Sequence, residues 1–175
     1  MEPDLVQVVP GAEGIEAEET AAETETAVKF LIRERGYRKL TANQRKVIVA
    51  AFALEGQTLL LQSFDLVKST PSNLDLSNLN AVSQAIKGRT IEIIEVKSVS
   101  KKSIDRHLCN LFFSVQYGQV LSAQSLGSLY KFVFFHKATN QVEEMTLNQI
   151  LSRAKTLHIS WSINFGSLDG HANGH

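Results

Sequence analysis

The sequence has one cysteine, three prolines and one tryptophan among its 175 residues. The single cysteine, Cys109, cannot form an internal disulfide, and because it lies in the apolar run LCNLFFSV we expect a buried structural thiol. No apolar run reaches the roughly 18 residues of a transmembrane helix, and the first residues lack the basic start and apolar centre of a signal peptide. The sequence therefore predicts a soluble, cytoplasmic protein without disulfides or membrane spans.

Basic residues are missing from the first 27 positions. This segment carries eight acidic side chains and few large apolar groups, so we expect residues 1–27 to form a disordered leader. The whole chain has 18 basic and 18 acidic residues, which leaves ten acids against 18 bases, a net charge of +8, in residues 28–175. Such a balance is typical of surfaces that bind polyanions, although many soluble domains carry it without binding them. Nucleic acid is the partner that this charge predicts.

Hydrophobic spacing predicts five helices, several with clear end signals. The first lies within residues 25–40 and ends at Gly36, and the second covers 41–57 with Thr41 as N-cap and Gly56 as its end. A third lies within 71–88, capped by Ser77 and stopped by Gly88. The fourth begins at residue 116 and ends at Gly127, and the fifth begins near Thr146.

Short apolar or alternating segments predict the strands. They cover residues 57–70, 89–100, 108–115, 129–138 and 157–165, and residues 166–175 are expected to be a flexible tail. With 43% apolar and 21% charged residues, the chain can build one compact core. The sequence therefore predicts a single α/β (or α+β) domain over residues 28–165, with a central mixed sheet flanked by helices.

The segment IEIIEVKSVSKK, residues 91–102, places charges in a strand that otherwise reads as buried. Because side chains alternate between the faces of a strand, Glu95 and Lys97 share one face. A carboxylate and an ammonium are costly to bury without partners, so this placement indicates a site where the sheet meets solvent or a ligand.

The chemistry that uses such a pair is phosphodiester hydrolysis assisted by Mg²⁺ or Mn²⁺. Carboxylates hold the cation, and a nearby lysine orients the attacking water or stabilises developing charge. A second carboxylate is needed, and the candidates are Asp65, at the end of LLLQSFD, and Asp75, in the polar turn SNLDLSN. Asp65 is the preferred candidate, and Asp75 stays open.

The tripeptide Glu95-Val96-Lys97, preceded at a distance by an aspartate, resembles the signature of the PD-(D/E)xK nuclease superfamily, which includes restriction endonucleases and DNA repair nucleases. The likeness covers roughly residues 57–138. It implies a restriction-endonuclease-like core of a helix, three strands, a helix and a further strand, with the aspartate on the second strand and the tripeptide on the third. It also implies that Gln116 and Gln119 begin a helix facing the site. The sequence departs from the pattern in that neither candidate aspartate follows a proline, since Asp65 follows Phe64 and Asp75 follows Leu74.

The resemblance implies a magnesium-dependent endonuclease acting on DNA, with Glu95 and Asp65 or Asp75 as metal ligands and Lys97 beside the attacking water. Basic residues that could contact phosphates occur in two groups: Lys101, Lys102 and Arg106 after the strand, and Arg33, Arg35, Arg38 and Lys39 in the helical segment RERGYRK. The alternative is an inactive module of the same fold that binds nucleic acid or protein. A third hypothesis is a structural subunit whose strand HISWSINF pairs with another copy in a homodimer, because restriction-type enzymes commonly work as dimers.

Overall fold

The computed structural model describes residues 21–99 and 113–155. Five helices, a short 3-10 turn (Gly127–Leu129) and five strands make up this part of the chain. In chain order they are α1 (Ala21–Arg35), β1 (Arg38–Lys39), α2 (Ala42–Leu54), β2 (Leu66–Ser69), α3 (Leu79–Lys87), β3 (Ile91–Val99), α4 (Tyr117–Leu126), β4 (Tyr130–His136), β5 (Gln141–Met145) and α5 (Leu147–Arg153). No helix in the two described ranges is long and apolar enough to cross a membrane.

The strands form one mixed sheet in the order β1-β2-β3-β4-β5. β1, β2 and β3 are antiparallel neighbours, β3 and β4 are parallel, and β4 and β5 are antiparallel. The parallel pair requires a crossover between β3 and β4, and α4 lies in that connection. β3 is therefore the central strand, with a neighbour on each side, and the prediction of a mixed sheet flanked by helices is confirmed.

Alternation along β3 gives the domain two apolar layers. Ile94 and Val96 face α1, where they pack with Ala27 and Leu31. On the other face, Ile91, Ile93 and Val99 belong to the larger core cluster, which α2, α3, α4 and α5 cover. One helix thus covers one side of the sheet and four helices cover the other.

Several helix ends lie where local capping residues predict them. Thr41 caps α2 through a reciprocal pair of hydrogen bonds with Gln44, and Thr146 caps α5 in the same way with Gln149. Gly127 ends α4 with a φ of 58°, a left-handed conformation that glycine adopts without strain. These three ends confirm the sequence predictions.

Other boundaries were wrong. The predicted strand 57–70 is a strand only over Leu66–Ser69, because the chain turns at residues 61–62 before it. Asn78, not Ser77, caps α3: its side chain accepts from the Ala81 N–H. The last seven residues of the predicted disordered leader, residues 21–27, are helical, and Ala27 is fully buried. The edge strands β1 and β5 were not predicted at all.

Several predictions fall outside the described residues. They concern most of the leader, Lys101, Lys102 and Arg106, most of the strand 108–115, the strand 157–165 and the tail 166–175. The described end of the predicted strand 108–115, residues 113–115, is not part of a strand. The homodimer depends on the strand 157–165 and therefore stays a prediction.

Candidate functional site

Glu95 and Lys97 lie on the central strand β3, on the face that carries four helices. Both side chains are buried, with 6% and 8% of their surface exposed. The Lys97 Nζ lies 3.0 Å from the Glu95 Oε1, so the two charges form a buried ion pair. Burial of such a pair costs desolvation energy that its own attraction repays only when further hydrogen bonds complete it. Those further bonds come from two neighbouring elements.

Asp65 supplies the second carboxylate. It directly precedes β2, and the register that pairs Leu66 with Ile94 places Asp65 opposite Glu95. Its backbone N–H donates to the Ile94 carbonyl at 2.8 Å, and its Oδ2 accepts from the Val96 N–H at 2.9 Å. The side chain is therefore held against the backbone of β3, beside Glu95.

Asp75 does not reach this site. It follows β2, beyond the end where Ser69 pairs with Ile91, and its side chain is exposed. Its Oδ1 accepts from the Ser77 N–H at 2.9 Å, a local turn bond. Of the two aspartates left open by the sequence, the structure brings only Asp65 to Glu95.

Gln119, near the start of α4, completes the buried network. Its Nε2 donates to the Glu95 Oε1, and its Oε1 accepts from the Lys97 Nζ at 3.4 Å and from the Gln116 N–H at 3.0 Å. One amide thus bridges both members of the ion pair and ties them to the first turn of α4. This placement agrees with the expectation that the helix beginning at Gln116 faces the site.

The electrostatics of the site centre on Glu95. Burial raises the pKa of Glu95 to about 8, the neighbouring Asp65 carboxylate adds to the rise, and Lys97 opposes it. Burial likewise raises the pKa of the Tyr130 hydroxyl, with smaller contributions from the charges of Glu95 and Asp65. That hydroxyl donates to the Ser63 carbonyl, two residues before Asp65. The carboxylates of Asp65 and Glu95 are thus held close together, where their negative charges repel each other.

These residues fit a hard divalent cation. Mg²⁺ is commonly bound by one or two carboxylates, with water and substrate phosphate as the other ligands, and Asp65 and Glu95 form such a pair. A dication would relieve the repulsion between the two carboxylates. Residues 21–99 and 113–155 contain no group of three His, Cys, Asp or Glu side chains that could hold a metal.

The basic residues of RERGYRK do not gather at the site. Arg33 and Arg35 are exposed on α1, which packs on the opposite face of the sheet, and Arg33 pairs with Glu34 at 2.5 Å. Arg38 and Lys39 form the edge strand β1 instead of a helix, and Arg38 donates to the carbonyls of Ser72 and Leu74. The prediction that all four basic residues lie in one helical segment was wrong. Gly36, with a φ of 70°, follows the end of α1 and precedes Arg38 and Lys39.

Sequence reasoning missed Arg45, which holds the segment that carries Asp65. Its guanidinium donates to the carbonyls of Leu61, Phe64 and Asp65 and lies 4.3 Å from the centre of the Phe64 ring. The sequence signal is only an Arg-Lys pair on the polar side of α2. Nothing local indicates that the arginine reaches carbonyls 16 to 20 residues away.

No protein-family model, curated protein or solved structure that was compared with the chain matches it.

Proposed function

We propose that the chain is a nuclease domain that hydrolyses DNA phosphodiester bonds with Mg²⁺ or Mn²⁺. The observation that carries the proposal is the placement of Asp65 opposite Glu95 with Lys97 in contact with the same glutamate. Two hard oxygen ligands beside a fixed positive charge are what metal-assisted attack on a phosphate requires.

The order of elements also supports the proposal. The PD-(D/E)xK resemblance implies a helix, three strands, a helix and a further strand, and the chain has α1, β1 to β3, α4 and β4 in that order, with α2 and α3 between strands. The aspartate precedes the second strand and the tripeptide lies on the third. Because fold alone does not determine function, the site geometry carries more weight than this order.

In the proposed mechanism, Asp65 and Glu95 would hold the cation. When bound, the cation polarises the scissile phosphate and lowers the pKa of a water molecule. The backbone N–H of Val96 fixes the Asp65 carboxylate, and Gln119 fixes Glu95 and Lys97 relative to each other. Lys97 then presents a positive charge to the negative charge that develops on the phosphate. Its burial makes this charge more effective than one in bulk water.

A second candidate is an inactive module of the same fold that binds nucleic acid. The observation in its favour is that Lys97 and Gln119 both bond to the Glu95 Oε1. Such a network stabilises the fold whether or not the residues take part in catalysis. Salt-dependent DNA binding without metal-dependent cleavage would identify this alternative.

A plasmid cleavage assay with Mg²⁺ or Mn²⁺ tests the nuclease proposal. We expect Asp65→Asn, Glu95→Gln and Lys97→Ala each to lower the cleavage rate by at least about 100-fold, the loss typical of removing one electrostatic catalytic group. Asp75→Asn is the matched control, because it neutralises an exposed aspartate in a turn, and we expect it to cleave like the wild type. Circular dichroism would show that each variant is folded. Cleavage unaffected by all three site variants would refute the proposal.

A further inference from the structure

A surface cleft includes Asp65 in its lining. Its volume is about 460 Å³, and its lining comes from the start of α2 and from the segment that leads into β2. The lining residues are Ala42, Arg45, Lys46, Leu61, Gln62, Phe64 and Asp65. Asp65 therefore belongs both to the carboxylate pair and to the cleft wall, so a molecule in the cleft would lie next to the site.

The lining of the cleft includes two cations, Arg45 and Lys46, that have no carboxylate partner in the described part of the chain. Arg45 donates its hydrogen bonds to backbone carbonyls. Because these groups carry no formal charge, they do not neutralise the positive charge of the guanidinium. Lys46 is exposed, and within residues 21–99 and 113–155 neither cation forms a salt bridge. The first turn of α2 contains no acidic residue either. These two cations give the α2 side of the cleft a positive charge, and the Asp65 carboxylate adds a negative charge to the lining.

The dimensions of the cleft restrict its occupant. Clefts that hold small ligands measure roughly 300–1,000 Å³, so this one admits a nucleotide and is too small for a duplex. The exposed Leu61 side chain lines it as well and offers an apolar contact for a sugar or base. The combination of a cation, an apolar wall and an adjoining carboxylate pair matches one nucleotide of a strand.

We propose that this cleft binds the nucleotide next to the phosphodiester that is cut, with Lys46 as the binding residue for its phosphate and Arg45 as the positioning residue that holds the Leu61–Asp65 wall. The proposal rests on the nuclease function and adds the path of the substrate strand. It assigns single-stranded DNA, or a locally opened strand, as the substrate class for this cleft.

Binding of a short, fluorescently labelled single-stranded DNA, followed by anisotropy in EDTA over a range of salt concentrations, tests the cleft. The logarithm of the binding constant falls linearly with the logarithm of the salt concentration, and each lost phosphate contact makes this slope less steep by about 0.7 for a single strand. The same loss weakens the affinity about fivefold near 0.1 M salt. We expect both changes in Lys46→Ala. Lys29→Ala is the matched control, because Lys29 is an exposed lysine on α1, on the opposite face of the sheet. The control should keep the wild-type slope.

Equal losses in Lys46→Ala and Lys29→Ala, no loss in Lys46→Ala, or no binding by the wild type would each overturn the cleft assignment. The nuclease proposal is tested independently of the cleft assignment. Cleavage by the wild type with Mn²⁺, combined with an unchanged slope in Lys46→Ala, would refute the cleft alone. A reduced slope in Lys46→Ala, with no cleavage under any divalent metal, would refute the nuclease and keep the cleft as a DNA-binding site.

Discussion

Glu95 is the residue whose surroundings differ most from those of an ordinary carboxylate. It is buried on a central strand, bonded to Lys97 and Gln119, and placed opposite a second acid. Removing one partner from a buried charged network leaves the others uncompensated, which costs about 3–5 kcal/mol. A chain that only needed a stable core would be better served by an apolar side chain here. The proposed use of these charges in phosphodiester hydrolysis would explain their placement.

The raised pKa of Glu95 makes the stability of the protein depend on pH. Folding raises the pKa from 4.5 to about 8, so between these values the folded state binds more protons than the unfolded state, and stability falls as pH rises. Without divalent metal, we expect urea unfolding at pH 5 and pH 8 to differ by a few kcal/mol in the wild type, on the order set by this shift. Glu95→Gln should remove most of that difference.

The comparison of Glu95→Gln with the wild type cancels the contributions of the other titrating groups, which both proteins share. Glu25→Gln, at an exposed position on α1, is the control and should keep the wild-type dependence. If Glu95→Gln shows the same fall in stability between pH 5 and pH 8 as the wild type, Glu95 does not carry a raised pKa.

At the scale of elements, Arg45 joins α2 to the segment that carries Asp65. Its guanidinium makes hydrogen bonds to three carbonyls and stacks on Phe64, and a lysine ammonium cannot reproduce this planar set of donors. We expect Arg45→Lys to lower the free energy of unfolding by about 1–2 kcal/mol, measured by urea denaturation. Arg35→Lys, at the exposed end of α1, is the control and should stay within about 0.5 kcal/mol of the wild type. An unchanged midpoint in Arg45→Lys would show that the bonds do not stabilise this junction.

Helices were predictable from the sequence because their signals are local. The capping pair of Thr41 and Gln44 lies three residues apart, and Gly127 marks the end of α4 by its own conformational freedom. Strand pairing depends on residues far apart in sequence. β1 has only two residues, and nothing in Arg38-Lys39 itself shows that it pairs with Leu66 and Val67.

The site was predictable only in part for the same reason. Alternation along β3 was enough to place Glu95 and Lys97 together, because it needs no knowledge of the rest of the fold. The choice between Asp65 and Asp75 required the register of β2 against β3, which the sequence does not reveal. Arg45 was missed because its partners are backbone carbonyls, which leave no trace in the sequence.

The two faces of the sheet carry different features of the molecule. Within residues 21–99 and 113–155, α1 packs on the face of Ile94 and Val96, whereas the carboxylate pair and Gln119 lie on the face that α2 to α5 cover, and α2 also lines the cleft. Charge is distributed unevenly along the chain as well, since the eight acids of residues 1–27 balance the net +8 of the remainder. The protein is therefore formally neutral although residues 28–175 are basic, and this basic charge is consistent with the proposed nucleic-acid substrate.

Anomalous diffraction from crystals soaked in Mn²⁺ tests most directly whether Asp65 and Glu95 hold a cation together. We expect a peak in the anomalous map within about 2–2.5 Å of a carboxylate oxygen from each residue, the range of metal–oxygen bonds to hard cations. The peak should disappear in crystals of Glu95→Gln. A map without a peak between these two carboxylates, or with Mn²⁺ bound only elsewhere, would contradict the assignment of this site.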